Sequence, residues 1–125
     1  MNPNFGLSKI GQILIVARDL KRMTAFYRDQ LGMKLLFEVP NMTFFDSEGI
    51  RLMLTTPSNG IDKAASIIYF KVDDIKQAYD ALSARGVPFD REPQVEARLE
   101  KSDLWLAFFH DPEGNTHSLM SEVAR

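Results

Sequence analysis

The chain has no cysteine. That single absence removes disulfide frameworks, thiolate nucleophiles and thiolate metal sites, and it agrees with a reducing compartment. Histidine is nearly missing too: only His110 and His117 occur among 125 residues. No run of Lys or Arg is present and the formal net charge is -2, so nothing electrostatic points to nucleic acid. Long apolar runs are lacking as well. Ile13 to Ala17 falls far short of the roughly 18 residues of a membrane helix. The opening MNPNFGLSKI has no charged segment followed by an apolar one, so it does not read as a secretory leader. These absences lead us to expect a soluble, cytoplasmic protein with no nucleic-acid and no membrane partner.

What is present is an apolar fraction of 45%, ample for one compact domain over residues 1–125. Ile10 to Ala17 is short, apolar and β-branched, as a buried strand is. Asp19 stands where an N-cap is wanted, and Leu20, Met23, Phe26, Tyr27 and Leu31 follow at helical spacing up to Gly32. Residues 33–38, 42–46 and 50–55 read as three strands, the last two joined by Asp46-Ser47-Glu48-Gly49.

The stretch from Thr56 to Lys63 is rich in Pro, Ser, Asn and Gly and reads as a linker. The pattern then restarts. Residues 66–72 form a strand, Asp74 caps a helix, and Gln77 is placed to complete a capping box. Gly86 and Pro88 end that helix. The charged segment 90–103 alternates Val95, Ala97 and Leu99 with charges, as an exposed edge strand does. Strands at 104–110 and 116–120 flank the turn Asp111 to Asn115.

Two registers describe this duplication. Asp19-Leu20-Lys21 recurs as Asp74-Ile75-Lys76 at an offset of 55. Asp46-x-Glu48-Gly49 recurs as Asp111-x-Glu113-Gly114 at an offset of 65. The expected fold is therefore α+β: tandem βαβββ modules whose curved mixed sheets enclose a cleft. The first module spans 8–56, the linker 57–65 and the second module 66–123.

Several runs carry a resemblance to a known family. They are Ile13 to Leu20, Phe26-Tyr27 with Leu31-Gly32, Phe70 to Ile75, and the D-P-E-G-N turn at Asp111 to Asn115. In order and spacing the chain resembles the vicinal oxygen chelate superfamily, which includes glyoxalase I, bleomycin-resistance proteins and extradiol dioxygenases. The resemblance implies a metal held by one residue each from the first, fourth, fifth and eighth strands. Carried onto this chain, those positions are Gln12, Met53, Ile67 and Ser118. The internal offsets relate Gln12 to Ile67 and Met53 to Ser118 independently.

Divalent ions in such sites need imidazole or carboxylate donors. Gln12 offers one neutral oxygen, Met53 a soft thioether, Ser118 a weak hydroxyl and Ile67 nothing. We expect no metal and no other cofactor. Strand alternation places Leu14, Arg51, Tyr69 and Met120 on the same face as these corners. Trp105 on the seventh strand is a further candidate for stacking on a planar ligand. The expected ligand-binding cleft is thus Gln12, Leu14, Arg51, Met53, Ile67, Tyr69, Trp105, Ser118 and Met120. The opposite face carries Ile13, Ile15, Leu52, Leu54, Ile68, Phe70, Val72 and Leu119, with His117 level with Leu52. No catalytic residue is assignable, because no carboxylate falls on the cleft positions and both histidines lie off them.

The reading that follows is a metal-independent binder of a small, largely apolar organic molecule, in a sequestration or resistance-type role. The resemblance also implies a homodimer with clefts built from both chains. The alternative is a glyoxalase I-like lyase or isomerase, or a dioxygenase, with a non-standard metal site. A third reading is an interaction module whose cavity is filled by side chains.

Overall fold

The computed structural model describes residues 10–57 and 67–125. Apart from Pro57, the expected linker lies outside the described residues. The first module runs β1 (Gln12–Val16), α1 (Leu20–Ala25), β2 (Lys34–Val39), β3 (Met42–Ser47) and β4 (Ile50–Thr55). The second runs β5 (Ile68–Lys71), α2 (Ile75–Ala84), β6 (Gln94–Arg98), β7 (Ser102–His110) and β8 (Thr116–Ala124). The sheets have matching orders, β1-β4-β3-β2 and β5-β8-β7-β6. In each, the strand before the helix pairs in parallel with the last strand of its module.

Strand pairing confirms the duplicated register. Leu14 lies opposite Met53 in the first sheet, and Tyr69 opposite Ser118 in the second. These are matching positions under the two offsets. Both helix caps form as the sequence implies. Asp19 accepts from the Arg22 amide at 3.1 Å and Asp74 from the Gln77 amide at 3.0 Å. Gln77 returns no bond to Asp74 among the described residues, so the capping box stays half made; its side chain points into water instead.

The first helix departs from expectation at its end. After Ala25 it widens into a π-turn over Phe26–Gln30, and the Leu31 amide reaches back five residues to the Phe26 carbonyl at 3.0 Å. The widened turn holds Phe26 and Tyr27 side by side in the interior, their rings edge to face at 5.3 Å. Gly32 then takes φ +73, which lets the chain reverse into β2.

One core serves both modules. Ile15, Phe45, Leu52 and Leu54 from the first sheet join Ile75, Ala107, Phe109 and Leu119 from the second in a single buried cluster. Tyr27 touches both sides, packing on Phe45 and on His117. The two sheets therefore turn their helix-bearing faces inward to a shared interior. Among the described residues no strand of one sheet pairs with a strand of the other.

Candidate functional site: two open sheet faces and a seam

The open face of the first sheet carries Gln12, Leu14, Phe37, Phe44, Arg51 and Met53. Gln12 Nε2 reaches the Met53 sulfur at 3.7 Å. Phe37 stacks on Phe44 with centroids 4.5 Å apart, and the Arg51 guanidinium sits 5.6 Å above the Phe44 ring. Such a cation over a ring stabilises both side chains in place. Phe37 and Val39 remain 43% and 44% exposed, unusually open for large apolar residues on one face. Neither Phe37 nor Phe44 was among the expected cleft residues. Phe44 lies opposite Met53 across the antiparallel pair, so alternation carried across the β3–β4 turn was the signal for it.

The open face of the second sheet carries Ile67, Tyr69, Phe108, Ser118 and Met120. Ile67 and Tyr69 are 42% and 45% exposed, and Tyr69 meets Phe108 edge to face at 6.4 Å. Ser118 is fully buried, and its hydroxyl donates to the Leu119 carbonyl at 2.7 Å, with the Ala107 carbonyl 3.3 Å away.

Trp105 is not on this face. It pairs with Ser121, one step out of phase with the Phe108–Ser118 pair, and packs against the core on the helix side. The reason is alternation: Trp105 and Phe108 are an odd number of residues apart, so one strand cannot present both to the same side.

The four corner side chains do not make a donor set for a divalent ion. The Met53 sulfur is an acceptor for Gln12, the Ser118 hydroxyl is committed to a backbone carbonyl, and Ile67 has no donor atom. Among the described residues, no group of three or more His, Asp or Glu is spaced to hold a metal.

A cleft does lie between the two sheets, with a volume of 760 Å³. Its walls are helix-side residues: Ile13 and Leu52 from the first sheet, Ile68, Phe70 and Leu119 from the second, and Leu82 from α2. Of the expected cleft residues only Tyr69 reaches it, from the edge strand β5. Gln12, Leu14, Arg51, Met53, Ile67, Ser118 and Met120 do not line it. The shared interior explains this, because the corners lie on the faces turned away from it.

The other seam between the modules holds a buried polar cluster that local pattern did not reveal. The Tyr27 hydroxyl donates to Asp111 Oδ2 at 2.8 Å and lies 2.8 Å from His117 Nε2. Asp111 also accepts from the Asn115 side chain at 2.7 Å and from the amides of Glu113 and Asn115 at 2.9 Å. Burial opposes charge on Asp111, but the surrounding donors outweigh it and hold the carboxyl below its usual range. His117 Nε2 is 3.8 Å from that carboxylate, so it acts there through space rather than by a direct bond.

An ionised Asp111 fixes the proton positions. The hydroxyl has one hydrogen, which goes to the carboxylate, so His117 donates from Nε2 to the Tyr27 oxygen. His117 Nδ1 then has no partner among the described residues. Burial first, and then the Asp111 charge, push the Tyr27 phenol far above its ordinary value, so it stays protonated. Its place on the helix-packing face, away from both open faces, makes this cluster a tie between modules. Glu113 adds a second tie by accepting the amides of Arg18 at 2.8 Å and Asp19 at 2.7 Å.

His110, by contrast, sits at the strand end with its ring against Asp90, 2.7 Å from Oδ1.

A doubled βαβββ unit with this order and these corners defines a small class of folds. The sequence profile of the Glyoxalase/Bleomycin resistance protein/Dioxygenase superfamily matches residues 9–119, and the chain belongs to that superfamily. It is 30% identical over 115 residues to a protein of Lysinibacillus sphaericus named metallothiol transferase FosB, covering 87% of this chain and 79% of that one. In fold it is similar to the lactoylglutathione lyase of Agrobacterium tumefaciens, at TM-score 0.73 and 22% identity, over 92% of this chain and 94% of that one. It is also similar to TnmS3, an antibiotic binding protein from Streptomyces, at TM-score 0.74 and 20% identity, over 95% and 99% of the two chains. No helix among the described residues is long and apolar enough to cross a membrane.

Proposed function

We propose that this protein binds a small, largely apolar organic molecule without a metal, as a homodimer whose clefts combine two chains. Each cleft sets the open face of the first sheet of one protomer against the open face of the second sheet of its partner. The observation that carries this is the state of those faces. Phe37, Val39, Ile67 and Tyr69 are each more than 40% exposed, and both faces are turned away from the shared interior. Half-lined apolar surfaces with a few polar groups, here Gln12 and Arg51, suit a small-molecule site once closed. The similarity to an antibiotic binding protein supports a sequestration or resistance-type role. The lyase, isomerase or dioxygenase alternative needs metal donors that the four corners do not supply.

Complementation between variants tests the composite cleft. Met53→Arg obstructs the first-sheet half and Tyr69→Asp the second-sheet half. Each variant alone loses binding in a thermal-shift panel of apolar compounds run with a chelator. In an equal mixture with exchanging subunits, mixed dimers keep one intact cleft, and about a quarter of the sites return. If no binding returns, or the wild-type protein is a monomer by light scattering, the composite cleft is wrong. Stoichiometric Zn, Ni, Mn or Fe that survives dialysis overturns metal independence.

A further inference from the structure

The second module carries a groove of 580 Å³ on its helix side, remote from both open faces. Trp105 and Tyr79 give it an aromatic wall, and Asp73, Asp80, Glu92 and Lys76 stand around it. The wall is held firmly. The Trp105 backbone is paired on both sides, with Val95 and Ser121, and its side chain packs against the core, while the Tyr79 ring is braced edge-on by Phe89 at 4.8 Å. Ser121 Oγ donates to the Asp73 carbonyl at 3.3 Å, which ties the start of α2 to β8.

The charges around the groove are unmatched. Asp74, also on its wall, is occupied in capping α2. The carboxylates of Asp73, Asp80 and Glu92 make no ion pair or hydrogen bond among the described residues, and Lys76 is the one cationic residue on the groove's lining. The fold does not require this arrangement. At the positions related by the offset of 55, the first module has Arg18 for Asp73, Thr24 for Tyr79 and Ala25 for Asp80.

We propose that this groove binds a small organic cation, an alkylammonium or guanidinium, with its apolar body against Trp105 and its charge towards Asp73, Asp80 and Glu92. A cation gains from the negative face of an indole, and the carboxylates add a screened Coulomb attraction. A neutral body of the same shape gains only contact with the wall. The exposure of the carboxylates keeps binding modest, with a dissociation constant on the order of a millimolar.

Trp105 is the one tryptophan in the chain, so its fluorescence reports on the groove directly. The titrants are choline and its neutral isostere, 3,3-dimethylbutan-1-ol. Choline gives a saturable change and the isostere does not. Added salt weakens the choline response, and the surface variant Asp80→Asn/Glu92→Gln weakens it about tenfold while circular dichroism stays unchanged. Equal responses to both titrants, no saturation, or an undiminished response in the variant each overturn the proposal. So does a lysine-rich peptide that saturates far below choline, since the groove is then a surface for a basic protein segment.

Discussion

At one seam between the modules, Tyr27 meets Asp111 and His117. At the other, the positions matching them under the two offsets are Leu82, Asp46 and Leu52. All three of those line the 760 Å³ cleft. The backbone plan is the same on both sides, and the contents are opposite: a packed polar cluster in one place, an apolar cavity in the other. The two aspartates show what decides the difference. Asp111 is buried because a phenol and the Asn115 side chain, besides backbone amides, point donors at it. Asp46 lies beside Arg51 and Lys34 in the strand register, on the side away from core-facing Phe45; among the described residues it accepts the Gly49 amide at 3.2 Å, and it stays partly in water. A carboxylate enters a protein interior only where donors are already arranged for it. The D-x-E-G motif recurs, but the hairpins around it differ, Ser47 lying opposite Ile50 in one and His110 opposite Thr116 in the other, so the longer second turn carries its aspartate into the seam while the first leaves it at the strand end.

Removing one aspartate and then the other separates the seams most strongly. Asp111→Ala strands the Tyr27 hydroxyl and the turn amides, and costs about 3 kcal/mol in urea unfolding. Asp46→Ala at the hydrated counterpart costs about 0.5 kcal/mol, and a loss as large as that of Asp111→Ala would end the contrast. Tyr27→Phe keeps the packing and deletes one hydroxyl, with an expected loss of about 2 kcal/mol. Filling the empty seam has the opposite sign. Leu82→Phe adds volume to a cavity already present and raises the thermal midpoint, by a gain of about 1 kcal/mol.

The smallest contrast concerns pH. The folded carboxyl of Asp111 titrates below its unfolded value near 3.8. Its stabilisation is therefore complete above that value and fades as the pH falls from there towards the depressed one. Unfolding midpoints of wild type and Asp111→Asn, measured down an acid series, converge below about pH 4. Curves that stay parallel would remove the linkage.

Much of the fold was legible because it is written locally and twice. The caps at Asp19 and Asp74, the reversal at Gly32, the two D-x-E-G turns and the inward set from Ile13 to Leu119 follow from spacing alone. Repetition fixed the register, since an error in one copy would have disagreed with the other. The Tyr27 cluster was not legible. Its bonds join residues 84 and 90 positions apart in different modules, and no periodicity reports on such a meeting. That the cleft between the two sheets is walled by helix-side residues was not legible for a related reason. Alternation says which residues share a face but not which way the two sheets turn. Trp105 was misplaced by reading its residue type ahead of its parity.

The grip of Glu113 on the amides of Arg18 and Asp19 also bears on how the chain is made. The carboxylate lies 94 residues downstream of the Asp19 amide it binds. At roughly 5–20 residues per second, a ribosome needs about 5 to 20 seconds to add that distance. Throughout that interval the start of α1 emerges without its anchor, and Tyr27 waits for Asp111 and His117 as well. The first half of this protein is translated early and fastened late, which makes the growing chain, rather than the finished one, the form most exposed to misassembly.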